Sequence, residues 1–142
     1  MAISARNVFA GTVSEVREGA VNAEVSLSVA GGDVIVATLT LDSLKSLGLT
    51  VGKAVTAFVK APSVMVVTGD DSVRYSARNH LKGLVSELKT GAVNSEVVVK
   101  LAGGSEVKAI ITNDAVTDLG LAVGSTASVL FKAGSVILGV TA

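Results

Sequence analysis

The chain repeats itself, and this duplication constrains its fold more than any other feature. When the sequence is aligned to itself with a shift of 72 residues and no gaps, 29 of the 70 aligned pairs are identical. The identical blocks include residues 4–7 with 76–79, 19–22 with 91–94, and 30–32 with 102–104. We therefore predict one domain at residues 3–68 and a second at 75–140, joined by the short polar segment 68–73. Two repeats are too few for a solenoid, so the two domains are expected to pack together.

Within each repeat the sequence predicts short strands and little helix. In the first repeat, Val25, Leu27 and Val29 alternate with polar residues, which is the period of a half-buried strand. Strands are predicted at residues 8–18, 23–29, 34–39, 54–60 and 64–67, with a glycine turn at 31–32. Residues 42–48 predict one or two helical turns, capped by Asp42 or a neighbour and ended by Gly48.

Five strands with a short helix between the third and fourth predict an all-β chain made of two tandem OB-like five-stranded barrels. A unit of about 70 residues is marginal on core size alone. We therefore expect the two units, and several chains, to pack against one another.

Composition excludes several classes of function. Basic and acidic residues number 12 each and aromatic residues make up only 3%, so we expect no nucleic-acid binding. The chain has no Cys and a single His, which rules out thiolate chemistry and zinc sites. His80 aligns with Val8 in the first repeat, so a catalytic role shared by both repeats cannot depend on it. No apolar run approaches the roughly 18 residues of a membrane span, and no signal peptide is evident, so we expect a cytoplasmic protein that does not enter a membrane.

The polar residues that both repeats share are mainly hydrogen-bond donors. Apart from turn glycines and carboxylates, they supply hydroxyls, a guanidinium, an ammonium and an amide. Small neighbours such as Ala5 and Ala61 leave backbone N–H groups accessible. Such a set suits a small dianionic oxyanion, which requires several short hydrogen bonds and charge compensation. The alternative is structural: residues 4–7 begin a strand, Lys60 is a solvated strand end, and Ser63 lies in a turn.

Carboxylates are also shared by the repeats. Glu15 and Glu24 recur as Glu87 and Glu96. We interpret them as strand-face residues in ion pairs with Arg17, Lys89 or Lys100 rather than as an acid–base pair. Because a carboxylate repels a dianion, one that lies near the site is expected to orient Arg or Lys and not to contact the ligand.

The whole chain resembles the Mop domain of molybdate-binding proteins. The shared pattern is S-A-R-N, G-A-V-N-x-E, A-G-G, T-x-D, L-G-L-x-V-G and K-A-x-S-V, read once in each repeat. Two such units are similar to cytoplasmic di-Mop molybdenum-storage proteins, the molbindins. The resemblance implies an OB-like barrel, no catalysis, and reversible binding of molybdate, or tungstate as a substitute, at subunit interfaces. It also implies an assembly of six Mop units, which for this chain means a homotrimer.

The resemblance also implies which residues bind the oxyanion, with no metal ion ligated directly. One wall of a site would carry Ser4, Ala5, Arg6 and Asn7, and a wall from a different unit Thr40, Ser43, Lys60, Ala61 and Ser63. The second copy would supply Ser76, Ala77, Arg78, Asn79, Thr112, Lys132, Ala133 and Ser135. Possible further sites near the symmetry axis lie in the loops Gly19, Ala20, Val21, Asn22 and Gly91, Ala92, Val93, Asn94. Ala115 replaces Ser43 and Gly134 replaces Pro62 in the second copy, so the two sets of sites need not be equal.

The predicted function is an intracellular molybdate store or buffer. One alternative is a ligand-sensing regulatory module of the same fold. No helix-turn-helix segment precedes the first repeat, so such a module would act through another protein. A second alternative is a purely structural assembly protein, which would bind no oxyanion at all.

Overall fold

A computed structural model describes residues 1–69 and 72–141; Asp70 and Asp71, which belong to the predicted joint, lie outside the described residues. The first repeat forms β1 (Asn7–Glu18), β2 (Asn22–Val29), β3 (Val34–Thr40), α1 (Leu41–Ser46), β4 (Ala54–Val59) and β5 (Met65–Val67). The second repeat forms β6 (Asn79–Thr90), β7 (Asn94–Leu101), β8 (Glu106–Thr112), α2 (Asn113–Leu119), β9 (Thr126–Phe131) and β10 (Ile137–Gly139). The predicted order of five strands, with a short helix between the third and fourth, is confirmed in both repeats.

The strands form two curled antiparallel sheets, and each sheet takes its last strand from the other repeat. One sheet has the order β10-β4-β1-β2-β3 and the other β5-β9-β6-β7-β8. Thus β10 pairs with β4, and β5 pairs with β9. The sheets therefore do not coincide with the sequence repeats, and residues 3–68 and 75–140 as separate domains stay a prediction. Strand exchange leaves no trace in the sequence, because β5 and β10 are equivalent and either one can complete either sheet.

Both repeats contribute to one continuous hydrophobic core. Alternate residues of β2 and β7 point inward, and Val25, Leu27, Val97 and Val99 are fully buried there. A register shift between Val13 and Glu15, repeated between Val85 and Glu87, marks a bulge that bends each long first strand around the core. The expected packing of the two units is confirmed, because the core cluster includes residues from both.

The two glycine turns meet where the repeats contact each other. Gly31 adopts φ 80° and Gly32 φ 93°, values that favour glycine. The backbone N–H of Gly103 donates to Asp33 Oδ2 at 3.2 Å, and Ser105 Oγ donates to the Ala30 carbonyl at 3.4 Å. These contacts join the tip of one hairpin directly to the tip of the other.

Among the described residues, no helix is both long and apolar enough to cross a membrane.

Candidate oxyanion site

Asn7 and Asn79 join the two repeats through their side chains. Asn7 Nδ2 donates to the Lys108 carbonyl at 2.8 Å, and its Oδ1 accepts from the Lys108 N–H at 2.7 Å. Asn79 makes the reciprocal pair with the Val36 N–H and carbonyl, both at 2.8 Å. Because β3 and β8 are the edges of their sheets, each amide occupies an edge that would otherwise be open. Both side chains are buried, so their predicted contact with an oxyanion competes with this structural role.

Arg6 and Arg78 precede these asparagines and also cross to the other repeat. Arg6 Nη1 lies 2.5 Å from Glu96 Oε2 on β7, and Arg78 Nη1 lies 2.5 Å from Glu24 Oε2 on β2. Both guanidinium groups remain more than half exposed, with side-chain exposures of 58% and 52%. Each cation is therefore anchored at one nitrogen while most of its surface faces solvent.

Lys60 lies beside Arg6 in the fold. Asn7 is paired with Val59 at the end of the antiparallel β1–β4 ladder. Arg6 precedes Asn7 and Lys60 follows Val59, so both lie just beyond that end. The reciprocal ladder pairs Asn79 with Phe131 and places Arg78 next to Lys132. The two lysines are exposed. Each repeat thus presents two cations close together at the end of one ladder inside its sheet.

The 3-10 turn that follows each lysine contacts the edge strand of the other repeat. Ala61–Ser63 packs on β8, and Ala133–Ser135 packs on β3. Ala61 and Ala133 are buried, Ser63 is exposed and Ser135 is half-buried. In a single chain, Lys60, Ala61 and Ser63 therefore lie on the same side as Arg6. The second wall implied by the resemblance comes from a different unit, so it stays a prediction.

Thr40 and Thr112 cap the two helices. Thr40 Oγ1 accepts from the Ser43 N–H at 3.1 Å, and Thr112 Oγ1 accepts from the Ala115 N–H at 3.1 Å. The predicted cap Asp42 instead lies in the first turn of α1. Asn79 binds β3 at Val36, and Arg78 contacts Glu24, which lies opposite Thr38 on β3. Thr40 and Ser43 follow Thr38 in the chain and continue in the same direction. In a single chain the structure therefore places these hydroxyls with the Arg78 set and Thr112 with the Arg6 set.

The difference between Ser43 and Ala115 changes hydroxyl positions more than donor number. The Thr40 hydroxyl donates to Ser43 Oγ at 3.1 Å, which leaves the proton of Ser43 for a ligand. Thr112 faces Ala115 and retains its own proton. Each helix cap thus offers one free hydroxyl proton, so the two caps differ in where that hydroxyl lies and not in how many protons they offer.

The loops proposed as axial sites adjoin the arginines. Gly91 and Asn94 line a cleft of about 440 Å³ that also contains Arg6 and Glu96. Gly19 and Asn22 line the equivalent cleft, of about 320 Å³, around Glu24, the partner of Arg78. The four tip residues Ala20, Val21, Ala92 and Val93 are exposed. The structure thus brings the two predicted kinds of site close to each other at each arginine.

Sequence reasoning missed a polar network beneath one of these loops. Asn113 Nδ2 donates to the Gly91 carbonyl at 2.9 Å, and Ser95 Oγ donates to Asn113 Oδ1 at 2.5 Å. The first repeat has Leu41 and Ala23 at the equivalent positions, so it cannot form this network. These two differences between the repeats are the only sequence signal for the network. The network holds the loop at Gly91 by side-chain hydrogen bonds that the loop at Gly19 lacks.

The remaining predicted ion pairs are found within strands. Arg17 Nε lies 2.7 Å from Glu15 Oε1, and Lys89 Nζ lies 3.3 Å from Glu87 Oε1. The hydrogen bond and charge of Glu15, with a smaller contribution from the charge of Glu24, raise the pKa of Arg17. Within residues 1–69 and 72–141, no three His, Asp or Glu side chains group closely enough to hold a metal ion.

Comparison with known proteins identifies the family. The family model described as the TOBE domain matches residues 3–66 and 75–138, which together make up most of the chain. The chain belongs to the TOBE domain family. This TOBE chain is 43% identical over 140 residues to the "Molybdenum transport protein ModE" of Herbaspirillum seropedicae, covering 99% of this chain and 52% of that protein. It is 42% identical over 138 residues to the "Molybdenum-pterin-binding protein MopA" of Rhodobacter capsulatus, covering 97% of this chain and 52% of MopA.

One solved structure matches the TOBE chain along its full length. The cytoplasmic molybdate-binding protein ModG, in a form with molybdate bound, has a TM-score of 0.94 and 53% sequence identity, covering 99% of this chain and 100% of that one. At this identity and coverage, the match confirms the two-sheet tandem fold. The chain spans about half the length of the curated relatives named above, at 52% of each.

Proposed function

We propose that this chain binds molybdate reversibly, with tungstate as a substitute, and serves as a molybdenum store or buffer rather than an enzyme. The observation that carries the proposal is the position of Arg6 and Lys60, and of Arg78 and Lys132, directly beyond the last paired residues of one ladder in each sheet. Hydroxyl donors flank both pairs. Support comes from ModG, 53% identical over the full chain, whose structure contains molybdate.

The chemistry of these residues suits a tetrahedral dianion. A guanidinium offers a planar fork of donors and an ammonium a compact charge, so together they bring two positive charges to the dianion, one of them shared with the paired carboxylate. Hydroxyls of Ser4, Ser63 and Thr112 can add neutral hydrogen bonds on other sides of the ion. The carboxylate near each arginine is already paired, which limits its repulsion of the ligand.

A homotrimer is part of this proposal. Ser4 and Arg6 are exposed on a single chain, as are Lys60 and Ser63, so these residues are accessible to a neighbouring subunit. A second wall from that subunit would enclose the oxyanion. Sedimentation equilibrium on the intact chain checks the assembly, and elemental analysis of the purified protein checks for bound Mo or W. We place this function in the cytoplasm, as stated for ModG.

A second candidate is a sensing module that acts through another protein. It is favoured by a relative of which this chain spans about half, the "Transcriptional regulator ModE" of Yersinia pestis. The two are 37% identical over 136 residues, which cover 95% of this chain and 51% of that protein. Both candidates bind molybdate, but only the sensing module requires a protein partner. Co-purification of one partner that changes with added molybdate would favour sensing.

Arg6→Ala combined with Arg78→Ala is expected to weaken molybdate binding by at least about 1.5 kcal/mol, the lower range for a hydrogen bond to a charged group. This corresponds to roughly tenfold in Kd. Isothermal titration calorimetry on the folded variant measures the effect. Lys82→Ala with Lys100→Ala removes the same charge from exposed residues of β6 and β7 that are outside the proposed site, and it should leave Kd nearly unchanged. Equal affinity in parent and arginine variant would remove these arginines from the site.

Phosphate is expected to compete poorly with molybdate. Near pH 7 phosphate carries a proton, and the guanidinium, ammonium and backbone N–H groups of the site cannot accept from that O–H, which leaves only the hydroxyl oxygens as acceptors. Molybdate is fully deprotonated and can accept at every oxygen. Competition titrations at equal anion concentration provide the measurement, with tungstate as the positive control. Displacement of molybdate by phosphate under these conditions would contradict the proposed donor set.

A further inference from the structure

The arginines of the proposed site are each held by an acidic residue from the other repeat. We propose that Glu96 and Glu24 are positioning residues that fix Arg6 and Arg78 in the orientation that receives the oxyanion. This inference rests on the proposed function and adds two residues that do not themselves contact the ligand. It also makes each site depend on both repeats of one chain.

The exposures of the two partners differ strongly. The side chains of Glu96 and Glu24 are only 12% and 23% exposed, whereas those of Arg6 and Arg78 are 58% and 52% exposed. Each carboxylate therefore lies close to the surface of its sheet, and the guanidinium lies on its solvent side. The contact uses one terminal nitrogen of each arginine. A guanidinium has five N–H donors in a rigid plane, so donors remain for a second acceptor.

The strand ladders fix the backbone positions of both glutamates. Glu24 lies opposite Thr38 in the β2–β3 ladder, and Glu96 lies opposite Ile110 in the β7–β8 ladder. The asparagine next to each arginine is hydrogen-bonded to the edge strand beside that glutamate. Asn79 binds Val36 on β3, next to Glu24 on β2, and Asn7 binds Lys108 on β8, next to Glu96 on β7. The arginine backbone and its carboxylate partner are thus fixed relative to each other. A side chain with many rotamers is held in one orientation before any ligand arrives, which lowers the entropy lost on binding.

The carboxylates are not expected to compete with the oxyanion. A largely buried carboxylate that loses its counterion keeps the cost of desolvation without the compensating attraction. Transfer of Arg6 from Glu96 to a ligand would leave the carboxylate in that state. The favourable arrangement keeps the ion pair intact and places the ligand on the remaining donors of Arg6. Positioning and competition therefore predict opposite effects when the carboxylate is removed.

The test compares three double variants by molybdate titration calorimetry. Glu24→Ala with Glu96→Ala should weaken binding by about tenfold, the lower end for loss of a group that orients a ligating side chain. Glu24→Gln with Glu96→Gln retains an acceptor for the arginine and should recover most of the lost affinity. Glu106→Ala with Asp118→Ala removes two exposed carboxylates that are not the partners of Arg6 or Arg78. It serves as the control matched in charge and should bind like the parent.

A second readout is independent of the ligand. In the unliganded parent, the side-chain N–H signals of Arg6 and Arg78 should show restricted motion by NMR, and this restriction should disappear only in the Glu24→Ala, Glu96→Ala variant. Tighter molybdate binding in that variant would show competition and overturn the inference. Unchanged binding in a folded variant would also overturn it, while leaving the proposed function intact. A parent that binds no molybdate would overturn the proposed function and this inference together.

Discussion

Replacing Asn7 and Asn79 together with Ala is expected to destabilise the folded chain by roughly 4 kcal/mol or more. Each substitution removes two hydrogen bonds and leaves the N–H and carbonyl of Lys108 or Val36 without partners. A buried polar group left unpaired costs about 1 to 3 kcal/mol, and four groups are affected. Urea unfolding at fixed protein concentration measures the loss, since assembly makes stability concentration-dependent.

Two variants show whether the asparagines act through both ends of the amide. Asn22→Ala with Asn94→Ala changes exposed asparagines whose side chains have no hydrogen-bond partner among the described residues, and it should stay within about 0.5 kcal/mol of the parent. Asn7→Asp with Asn79→Asp keeps the acceptor but points a carboxylate at the Lys108 and Val36 carbonyls. It should be nearly as destabilising as Ala. Stability retained in the Ala variant would mean that the edges of β3 and β8 are satisfied in another way.

The residues of the repeated four-residue phrase were found from the sequence, but their separate roles were not. Repetition identified residues 4–7 and 76–79 because both copies must satisfy the same contacts. The sequence could not distinguish Asn7, which pairs with a backbone, from Arg6, which stays exposed. An amide and a guanidinium both count as donors in a pattern. Only the position of the partner strand shows that the amide holds an edge strand while the guanidinium stays largely exposed.

Strands and helix ends were predictable because they depend on residues that are close together in the sequence. Alternation of Val and Leu with polar residues indicated β2, and Gly120, at φ 63°, ends α2 as the sequence predicted for its equivalent Gly48. The helix start was less well placed, since Thr40 lies two residues before the expected Asp42. Thr, Asp and Ser are all good caps, and the sequence offers several in a row.

Long-range pairing between the repeats could not be read from the sequence. In the structure, β5 completes the sheet of the second repeat, and Arg6 contacts Glu96, which is 90 residues away in the sequence. A duplicated chain contains two equivalent partners for every such contact, one in each copy. Periodicity treats them as equal, so the choice between pairing within and across repeats depends on three-dimensional packing.

Gly31→Ala is expected to destabilise the chain by roughly 2 to 5 kcal/mol, because two separate costs combine. A Cβ at this position would lie 1.8 Å from the Gly103 carbonyl oxygen and 2.5 Å from its carbon, so the two hairpin tips would have to move apart. Such overpacking costs about 1 to 3 kcal/mol. Residue 31 also has φ 80°, and the left-handed region adds about 1 to 2 kcal/mol for a residue with a side chain. Urea unfolding measures the sum.

Two neighbouring glycines separate these costs. Gly32→Ala, at φ 93° with nothing within 4 Å of the added Cβ, should show the conformational cost alone. Gly103→Ala should show the collision alone, because its Cβ would lie 2.5 Å from Asp33 Oδ2 and 2.8 Å from the Gly31 carbonyl oxygen, and its φ is not in the left-handed region. The Gly31 loss should approach the sum of the two. If Gly31→Ala costs no more than Gly32→Ala, the hairpin tips do not touch in solution, and the contact between repeats depends on the asparagines and the exchanged strands instead.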